Sequence, residues 1–254
     1  MKSSASLVID IGNTSTSLGI YRAGKVGRVG RIETVEQTFT TVSAAIRKLA
    51  GRTRIGEAGI ASVVPLLNPV WESAVRDACG VEPYWIHHDS PLGVKITYPD
   101  PASIGADRLA NAAGAARKFG APVIVADFGT AVTFDLVTRR DGYIGGIIAP
   151  GLPLMFDYLA ERTAQLPRIA WNHPPARHRT GKSTAEAMQL GAHWGYRGMV
   201  REILAELRKS PALRQAVVCG TGGFADRVLS GIRPASRIDK TLTLFGIGCI
   251  LEKK

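Results

Sequence analysis

The chain has 254 residues, of which 45% are hydrophobic and 21% are charged, and this balance excludes a disordered chain and a small disulfide-stapled scaffold. No apolar stretch approaches the roughly 20 residues that span a bilayer, which excludes a membrane protein. The formal net charge of +11 favours anionic partners and leaves nucleotides, acidic metabolites and nucleic acids open as binding partners.

The amino terminus and the cysteines both bear on the cellular compartment. The first residues reach Asp10 too early to contain the apolar core of a secretory signal. Cys79, Cys219 and Cys249 lie far apart in apolar surroundings and lack metal-ligand spacing, so we expect reduced thiols. Together these features predict a cytoplasmic protein.

The first half of the chain contains both strand and helix patterns. Residues 6–32 hold an apolar run, a Gly/Asn/Thr turn and two alternating stretches joined at Ala23-Gly24, which predict three strands. The periodicity of the next segments predicts a helix over 41–49, a strand over 59–64, a helix over 69–79 and an Ala-rich helix over 104–118.

The second half begins by repeating the pattern of the first. Asp127 lies 117 residues after Asp10, and Gly129 lies 117 residues after Gly12. An internal repeat on this scale predicts two similar α/β domains rather than a solenoid. We expect the domains to span residues 1–119 and 120–254.

The remaining predicted elements follow the second repeat. Their patterns predict helices over 152–162, 184–209 and 223–231, and a strand over 216–219. The segment 171–182 holds two prolines and several basic residues without periodicity, which predicts a loop.

The first Gly-rich turn has the composition of a phosphate-binding loop. After the first strand, Gly12 allows a close backbone approach, and Thr14, Ser15 and Thr16 carry hydroxyl donors. A carboxylate beside a phosphate is repulsive unless a hard cation lies between them, so Asp10 predicts Mg²⁺. The alternative is that Asp10 only ends a strand and accepts hydrogen bonds from the turn.

The second copy of this turn favours the functional interpretation. Two such loops in duplicated domains would face each other across an interdomain cleft, which is a usual location for a ligand site. We expect Asp127 to hold a cation and Thr130 to contact a phosphate oxygen. A third Gly-rich turn, residues 219–223, also follows an apolar strand and could complete a nucleotide site.

A compact acidic and basic pair opens the Ala-rich helix. Asp107 is a candidate general base, because phosphoryl transfer with a loose transition state needs orientation more than strong basicity. Arg108 could bind a substrate carboxylate through two parallel hydrogen bonds. The alternative is structural, since an acid in the first turn of a helix is common for dipole reasons alone.

Two histidine-containing segments are interpreted structurally. His87 and His88 are adjacent, so on a strand they would point to opposite faces and could not form a paired site. The histidine, aromatic and methionine residues of segment 193–199 recur at helical spacing, so we expect them to pack within a helix or against a partner subunit. No Ser/His/Asp order and no complete Walker-type loop is present in the sequence.

Taken together, these motifs resemble the type III pantothenate kinase family from end to end. The resemblance rests on residues 10–14, 105–108, 127–131, 145–151, 163–167 and 220–223. It implies the fold of the acetate and sugar kinase, Hsp70 and actin superfamily, with two duplicated ribonuclease-H-like domains and an interdomain cleft. It also implies ATP-dependent phosphorylation of pantothenate, the first step of coenzyme A biosynthesis.

The resemblance further implies roles for individual residues. Asp107 would be the base, and the pantothenate-binding residues would be Tyr98, Gly105, Ala106, Asp107, Arg108 and Thr184. The ATP contacts would come from Asp10, Ile11, Gly12, Asn13, Thr14, Ser15, Thr16, Ser17 and Thr130. Asp127 would hold a monovalent cation, K⁺ or NH₄⁺. Family members form homodimers whose substrate pocket is completed across the interface, which is where Thr184 would act.

Two alternatives stay open at this point. A kinase of the same fold could act on another hydroxylated acid or sugar. A regulatory or nucleic-acid-binding relative could retain the scaffold, as the net charge of +11 allows, although such a protein would not need all of these polar positions together.

Overall fold

A computed structural model describes residues 5–171, 178–233 and 236–254 of the chain. The contacts divide the chain into two compact units. The first comprises Met1–Ala121, Arg140–Gly145 and Thr241–Lys254, and the second comprises Pro122–Arg139 and Gly146–Lys240. The expected split into 1–119 and 120–254 stays a prediction, and the contacts group the last residues of the chain with the first unit.

The first unit contains a five-stranded mixed sheet with helices on both faces. Its elements are β1 (Ala5–Ile11), β2 (Ser15–Arg22), β3 (Lys25–Glu33), α1 (Phe39–Ala50), β4 (Ile55–Ser62), α2 (Asn68–Cys79), β5 (Pro83–Trp85), α3 (Ala106–Phe119) and α8 (Leu242–Leu251). The strand order is β3-β2-β1-β4-β5. The strands β1, β2 and β3 pair antiparallel, whereas β4 is parallel to both β1 and β5.

One face of this sheet packs against α1 and α2. Alternate residues of β1 face this core, which includes Leu7, Ile9, Ile11, Ile46 and Trp71, all of them fully buried. Because side chains alternate across a strand, Asp10 belongs to the opposite face. The helix α1 begins at a capping box in which Thr38 and Thr41 exchange side-chain and backbone hydrogen bonds, which fixes its first residue.

The other face of the sheet packs against α8, which in turn contacts α3. Every residue of α8 is buried. The close approach depends on glycines: a Cβ at Gly248 would lie 2.2 Å from the Tyr21 ring, and one at Gly246 would lie 1.8 Å from the carbonyl oxygen of Ala110. The two helices therefore touch backbone to backbone.

The second unit repeats the sheet topology of the first. Its elements are β6 (Val123–Phe128), β7 (Ala131–Thr138), β8 (Gly142–Pro150), α4 (Leu152–Arg162), α5 (Thr184–Gly191), α6 (Arg197–Leu207), β9 (Val217–Thr221), α7 (Ala225–Leu229) and β10 (Arg237–Ile238). The first residues of β8 are grouped with the first unit. The strand order β8-β7-β6-β9-β10 corresponds to β3-β2-β1-β4-β5, with β7 antiparallel and β9 parallel to β6. The predicted duplication of an α/β fold is confirmed.

Several elements differ from the sequence prediction. The helix expected over 184–209 is interrupted by a π-helical turn at Ala192–Tyr196. The helix α8 and the short strands β5 and β10 have no counterpart in the prediction. Residues 172–177 of the expected loop lie outside the described residues. Within the described ranges, no helix combines the length and the apolar character that crossing a membrane requires.

Candidate functional site

The first Gly-rich loop joins β1 to β2 at the carboxyl end of β1. The Gly12 N–H donates to the Ser15 carbonyl at 3.2 Å, which closes the turn. Asn13 and Thr14 at its tip are exposed, and Asp10 is partly exposed just before it. The register pairs Asp10 with Ser17, so these two side chains share one face of the sheet.

A buried hydrogen-bond network supports this loop from the opposite face. The Thr34 hydroxyl donates to the Gly12 carbonyl at 2.6 Å, and the Thr34 N–H donates to the Thr14 carbonyl at 3.0 Å. Gln37 Nε2 donates to Thr16 Oγ1 at 3.0 Å, and Trp71 Nε1 donates to Gln37 Oε1 at 2.7 Å. The conformation of the loop is thus fixed by side chains that lie up to 59 positions away in sequence.

This network changes the role of one predicted ATP contact. Thr16 is fully buried, and its hydroxyl lies 3.4 Å from that of Thr34. Its side chain therefore supports the loop from the core side instead of reaching solvent with Thr14 and Ser17. The side chain of Ile11 is also fully buried, and its carbonyl accepts a hydrogen bond from the Val63 N–H at 3.0 Å.

The second loop, between β6 and β7, is also closed by a hydrogen bond from the N–H of its glycine. The Gly129 N–H donates to the Ala131 carbonyl at 3.0 Å, and the Gly151 N–H donates to the Thr130 carbonyl at 3.0 Å. A Cβ at Gly151 would lie 2.0 Å from that carbonyl oxygen, so only glycine permits this approach. Asp127 and Thr130 are both partly exposed.

The third Gly-rich turn meets the second loop inside the second unit. Parallel pairing sets Asp127 beside Thr221, at the carboxyl ends of β6 and β9. Gly222 has φ +84°, and a Cβ there would lie 2.6 Å from Asp127 Oδ1 and 2.6 Å from the carbonyl group of Phe128. The structure thus brings these two turns together. The expectation that the loops of the two units face each other stays a prediction.

The predicted acidic and basic pair opens α3. Asp107 Oδ1 accepts a hydrogen bond from the Arg108 N–H at 2.8 Å. A Cβ at Gly105 would lie 2.5 Å from the same oxygen, so glycine leaves the space that the carboxyl group occupies. Burial raises the pKa of Asp107, and the Arg108 N–H and guanidinium oppose that rise in part. The result is a more basic carboxylate than an exposed aspartate.

Tyr143 connects Arg108 with Tyr98. The Arg108 guanidinium lies 6.0 Å from the centre of the Tyr143 ring, and the rings of Tyr143 and Tyr98 meet edge to face at 6.3 Å. Tyr98 also packs on Gly145, where a Cβ would lie 3.2 Å from the ring. Tyr143 is fully buried, and no sequence motif marks it as part of the site. Its position beside two predicted substrate residues follows only from the pairing of residues 96 and 143.

Thr184 belongs to the second unit, at the first residue of α5. Ser183 caps this helix by accepting the Glu186 N–H, and Thr184 is exposed. It lines a hollow of about 450 Å³ whose other lining residues are mostly apolar and come from α4, α5 and the segments after each of them. Leu154 and Tyr158 of α4 and Trp194 are large apolar side chains that are 40–62% exposed.

The two adjacent histidines do not have the expected geometry. β5 ends at Trp85, and residues 87–89 form a turn in which both imidazoles approach Asp89. One potential metal-ligand atom from each of His87, His88 and Asp89 lies within 4.8 Å of the other two. The prediction that the two histidine side chains point to opposite faces was therefore wrong. The Asp89 N–H donates to His87 Nδ1 at 3.3 Å, and His88 Nε2 lies 3.3 Å from the Asp89 carboxylate. These contacts give each group a partner within the turn.

Comparison with known proteins identifies the family. The family model described as type III pantothenate kinase matches residues 6–206. A type III pantothenate kinase from Akkermansia muciniphila is 47% identical over 199 residues, covering 78% of this chain and 79% of the relative. One from Methylacidiphilum infernorum is 37% identical over 247 residues, covering 97% and 88%.

Solved structures share the fold at low identity. A Campylobacter jejuni protein assigned to the Baf family of transcriptional activators has a TM-score of 0.60 and 16% identity, with 97% of this chain and 98% of that chain covered. A ROK family glucokinase from Streptomyces griseus in complex with glucose and AMPPNP has a TM-score of 0.56 and 15% identity, with 98% and 100% covered. The family model and the two relatives from Akkermansia muciniphila and Methylacidiphilum infernorum show that the chain belongs to the type III pantothenate kinase family.

Proposed function

We propose that this member of the family transfers the γ-phosphoryl group of ATP to the primary hydroxyl of pantothenate, with Asp107 as the base. One observation carries the assignment of the base. Gly105 leaves room for a carboxyl group whose pKa is raised by burial and whose Oδ1 is oriented by the Arg108 N–H. Such a group can accept the hydroxyl proton while the γ-phosphoryl group is transferred.

The substrate carboxylate is bound by Arg108, whose planar guanidinium suits a two-pronged contact with a carboxylate. The Tyr143 ring beneath the guanidinium and the edge of Tyr98 support this orientation. Gly105 and Ala106 line the same corner, so the acceptor hydroxyl lies beside Asp107. Thr184 contacts pantothenate from the second subunit of a homodimer.

ATP is bound by the first loop, residues 10–17, and by Thr130 of the second loop. Within the first loop, the buried side chains of Ile11 and Thr16 support its conformation from the core side. Asp10 and Asp127 offer hard carboxylate oxygens, the donor type that both Mg²⁺ and a monovalent cation such as K⁺ or NH₄⁺ take, so these residues fit the ions. When bound, the ions neutralise negative charge on the phosphates. The chain itself contributes the fixed loops, held by the network below Gly12 and by the contact of Gly151 with Thr130.

The homodimer is supported by the second unit. Its exposed apolar side chains Leu154, Tyr158 and Trp194 and the hollow beside Thr184 are surfaces that a second copy would cover. Sedimentation velocity should give twice the monomer mass. We also assign the enzyme to the cytoplasm, where the free thiols of Cys79, Cys219 and Cys249 stay reduced.

The deciding experiment is Asp107→Asn, assayed by ADP release with pantothenate as acceptor. The variant should fold and bind ATP as the wild type does, while kcat falls by about 10²- to 10⁴-fold. Asp100→Asn is the matched control, because Asp100 is exposed and lies seven positions earlier. Normal turnover of the Asp107 variant would remove this residue from the role of base.

A panel of other hydroxylated acids and sugars tests the acceptor in the same assay. Pantothenate should be preferred over each of them. Absence of phosphorylation together with salt-dependent DNA affinity would favour a regulatory protein on the kinase scaffold.

A further inference from the structure

The first Gly-rich loop, residues 10–17, has a basic neighbour on β3, Arg31, which belongs to none of the sequence motifs. Asp10 of β1 pairs with Ser17 of β2, and Ser17 pairs with Arg31 of β3. Directly paired residues of adjacent strands point to the same face, so the three form a row across the sheet. Two strand spacings separate the ends of the row, which sets the Cα atoms of Asp10 and Arg31 about 10 Å apart.

Arg31 is already tied to the loop by its side chain. Its Nε donates to Ser15 Oγ at 2.8 Å. A guanidinium has five N–H donors, so this bond uses one of them and leaves the two terminal NH₂ groups for another acceptor. Arg31 is exposed, and no described carboxylate lies within ion-pair distance of it. Its guanidinium is therefore held in place by a hydroxyl of the loop and not by a described carboxylate.

Other arginines of this unit are engaged differently. Arg28 of the same strand donates to the Leu49 carbonyl and to Thr53, at the end of α1. Arg47 forms an ion pair with Asp77 at 2.6 Å. These side chains bind backbone carbonyls at a helix end or a carboxylate. Among the described residues, Arg31 donates instead to a hydroxyl of the loop that has the phosphate-binding composition.

We propose that Arg31 is a further nucleotide-binding residue, which contacts phosphate oxygens of ATP with its terminal NH₂ groups. The inference rests on the proposed ATP site at residues 10–17 and adds a residue to it. The row has a carboxylate suited to Mg²⁺ at one end and a guanidinium suited to phosphate at the other, a spacing that accommodates a metal-bound polyphosphate between them. Ser15 orients the guanidinium and in return is fixed by it.

The test compares Arg31→Gln with Arg22→Gln. Arg22 is exposed at the far end of β2, and its replacement removes the same charge without touching the loop. Calorimetric titration of each protein with adenosine, MgADP and MgATP measures binding without the acceptor. Arg31→Gln should weaken MgATP binding about 10- to 100-fold, the effect of losing charge-assisted hydrogen bonds. Adenosine should bind as to the wild type, and Arg31→Lys should recover part of the loss.

Kinetics and unfolding complete the comparison. The KM for ATP should rise for Arg31→Gln, whereas the KM for pantothenate and the unfolding temperature should match those of Arg22→Gln. Equal MgATP affinity of the two variants would overturn the inference, and so would an equal loss for adenosine and MgATP. If the wild type binds MgATP but does not phosphorylate pantothenate, the proposed function is contradicted. The binding comparison of the two variants would still decide whether Arg31 contacts the phosphates.

Discussion

Replacing Gly246 by alanine should separate α3 from α8. The added Cβ would lie 1.8 Å from the carbonyl oxygen of Ala110 and 2.6 Å from its carbon, and real Cβ atoms essentially never come closer than 3.0 Å to another heavy atom. The oxygen belongs to a helix backbone and cannot rotate away as a flexible side chain would. The two helices must therefore move apart by more than about 1 Å, against the close packing of the core.

The cost follows from two opposing effects. Overpacking in a dense core typically costs about 1–3 kcal/mol, and the upper part of that range applies where backbone must move. Alanine recovers about 0.5–1 kcal/mol through its higher helix propensity. The net loss should be about 2 kcal/mol, which lowers Tm by about 4–8 °C for a chain of this size.

Thermal unfolding followed by circular dichroism measures this loss. Gly198→Ala in α6 is the control, because a Cβ there meets no atom within 4 Å and the variant should be as stable as the wild type or slightly more stable. Since α3 carries Asp107 in its first turn, Gly246→Ala should also reduce kcat. An unchanged Tm for Gly246→Ala would refute the direct backbone contact between the helices.

Two further predictions concern buried polar groups. Because burial raises the folded-state pKa of Asp107 above its ordinary 3.8, the stability contributed by the neutral carboxyl is complete below pH 3.8 and is lost as pH rises through the raised pKa. Asp107→Asn should therefore have a higher unfolding temperature than the wild type near pH 7, and the two unfolding temperatures should converge toward pH 4. A difference in unfolding temperature that does not change with pH would contradict the raised pKa. Trp71→Phe leaves Gln37 Oε1 buried without its donor and should lower the free energy of unfolding in urea by about 2–4 kcal/mol. An unchanged urea midpoint would contradict the buried bond.

The sequence predicted the parts of the fold that carry a local pattern. The duplication was visible because Asp10 and Asp127 each lie near the end of an apolar run and two residues before a glycine, and the repeated strand order confirms it. The helices α1 and α2 were found within two residues of their bounds, since each has one apolar face. The family and its reaction were also identified from these motifs, and the comparisons confirm them.

Elements without a local pattern were missed. The helix α8 is apolar on all sides, so it has no 3.6-residue alternation and no charged face to mark it. Tyr143 and Gln37 gain their roles from partners far away in sequence, which no spacing rule reports. Thr16 was assigned to ATP with its hydroxyl neighbours, although strand alternation turns it into the core.

The position of α8 in the chain has a consequence for synthesis. This helix covers one face of the first sheet, yet the ribosome makes it only after the whole second unit. Until then the apolar surface of β1, β2 and α3 that α8 covers is exposed on the nascent polypeptide, where chaperones can bind it. The sequence separation between α3 and α8 also raises the contact order, so the first half of the chain should complete its folding late even though it is translated first.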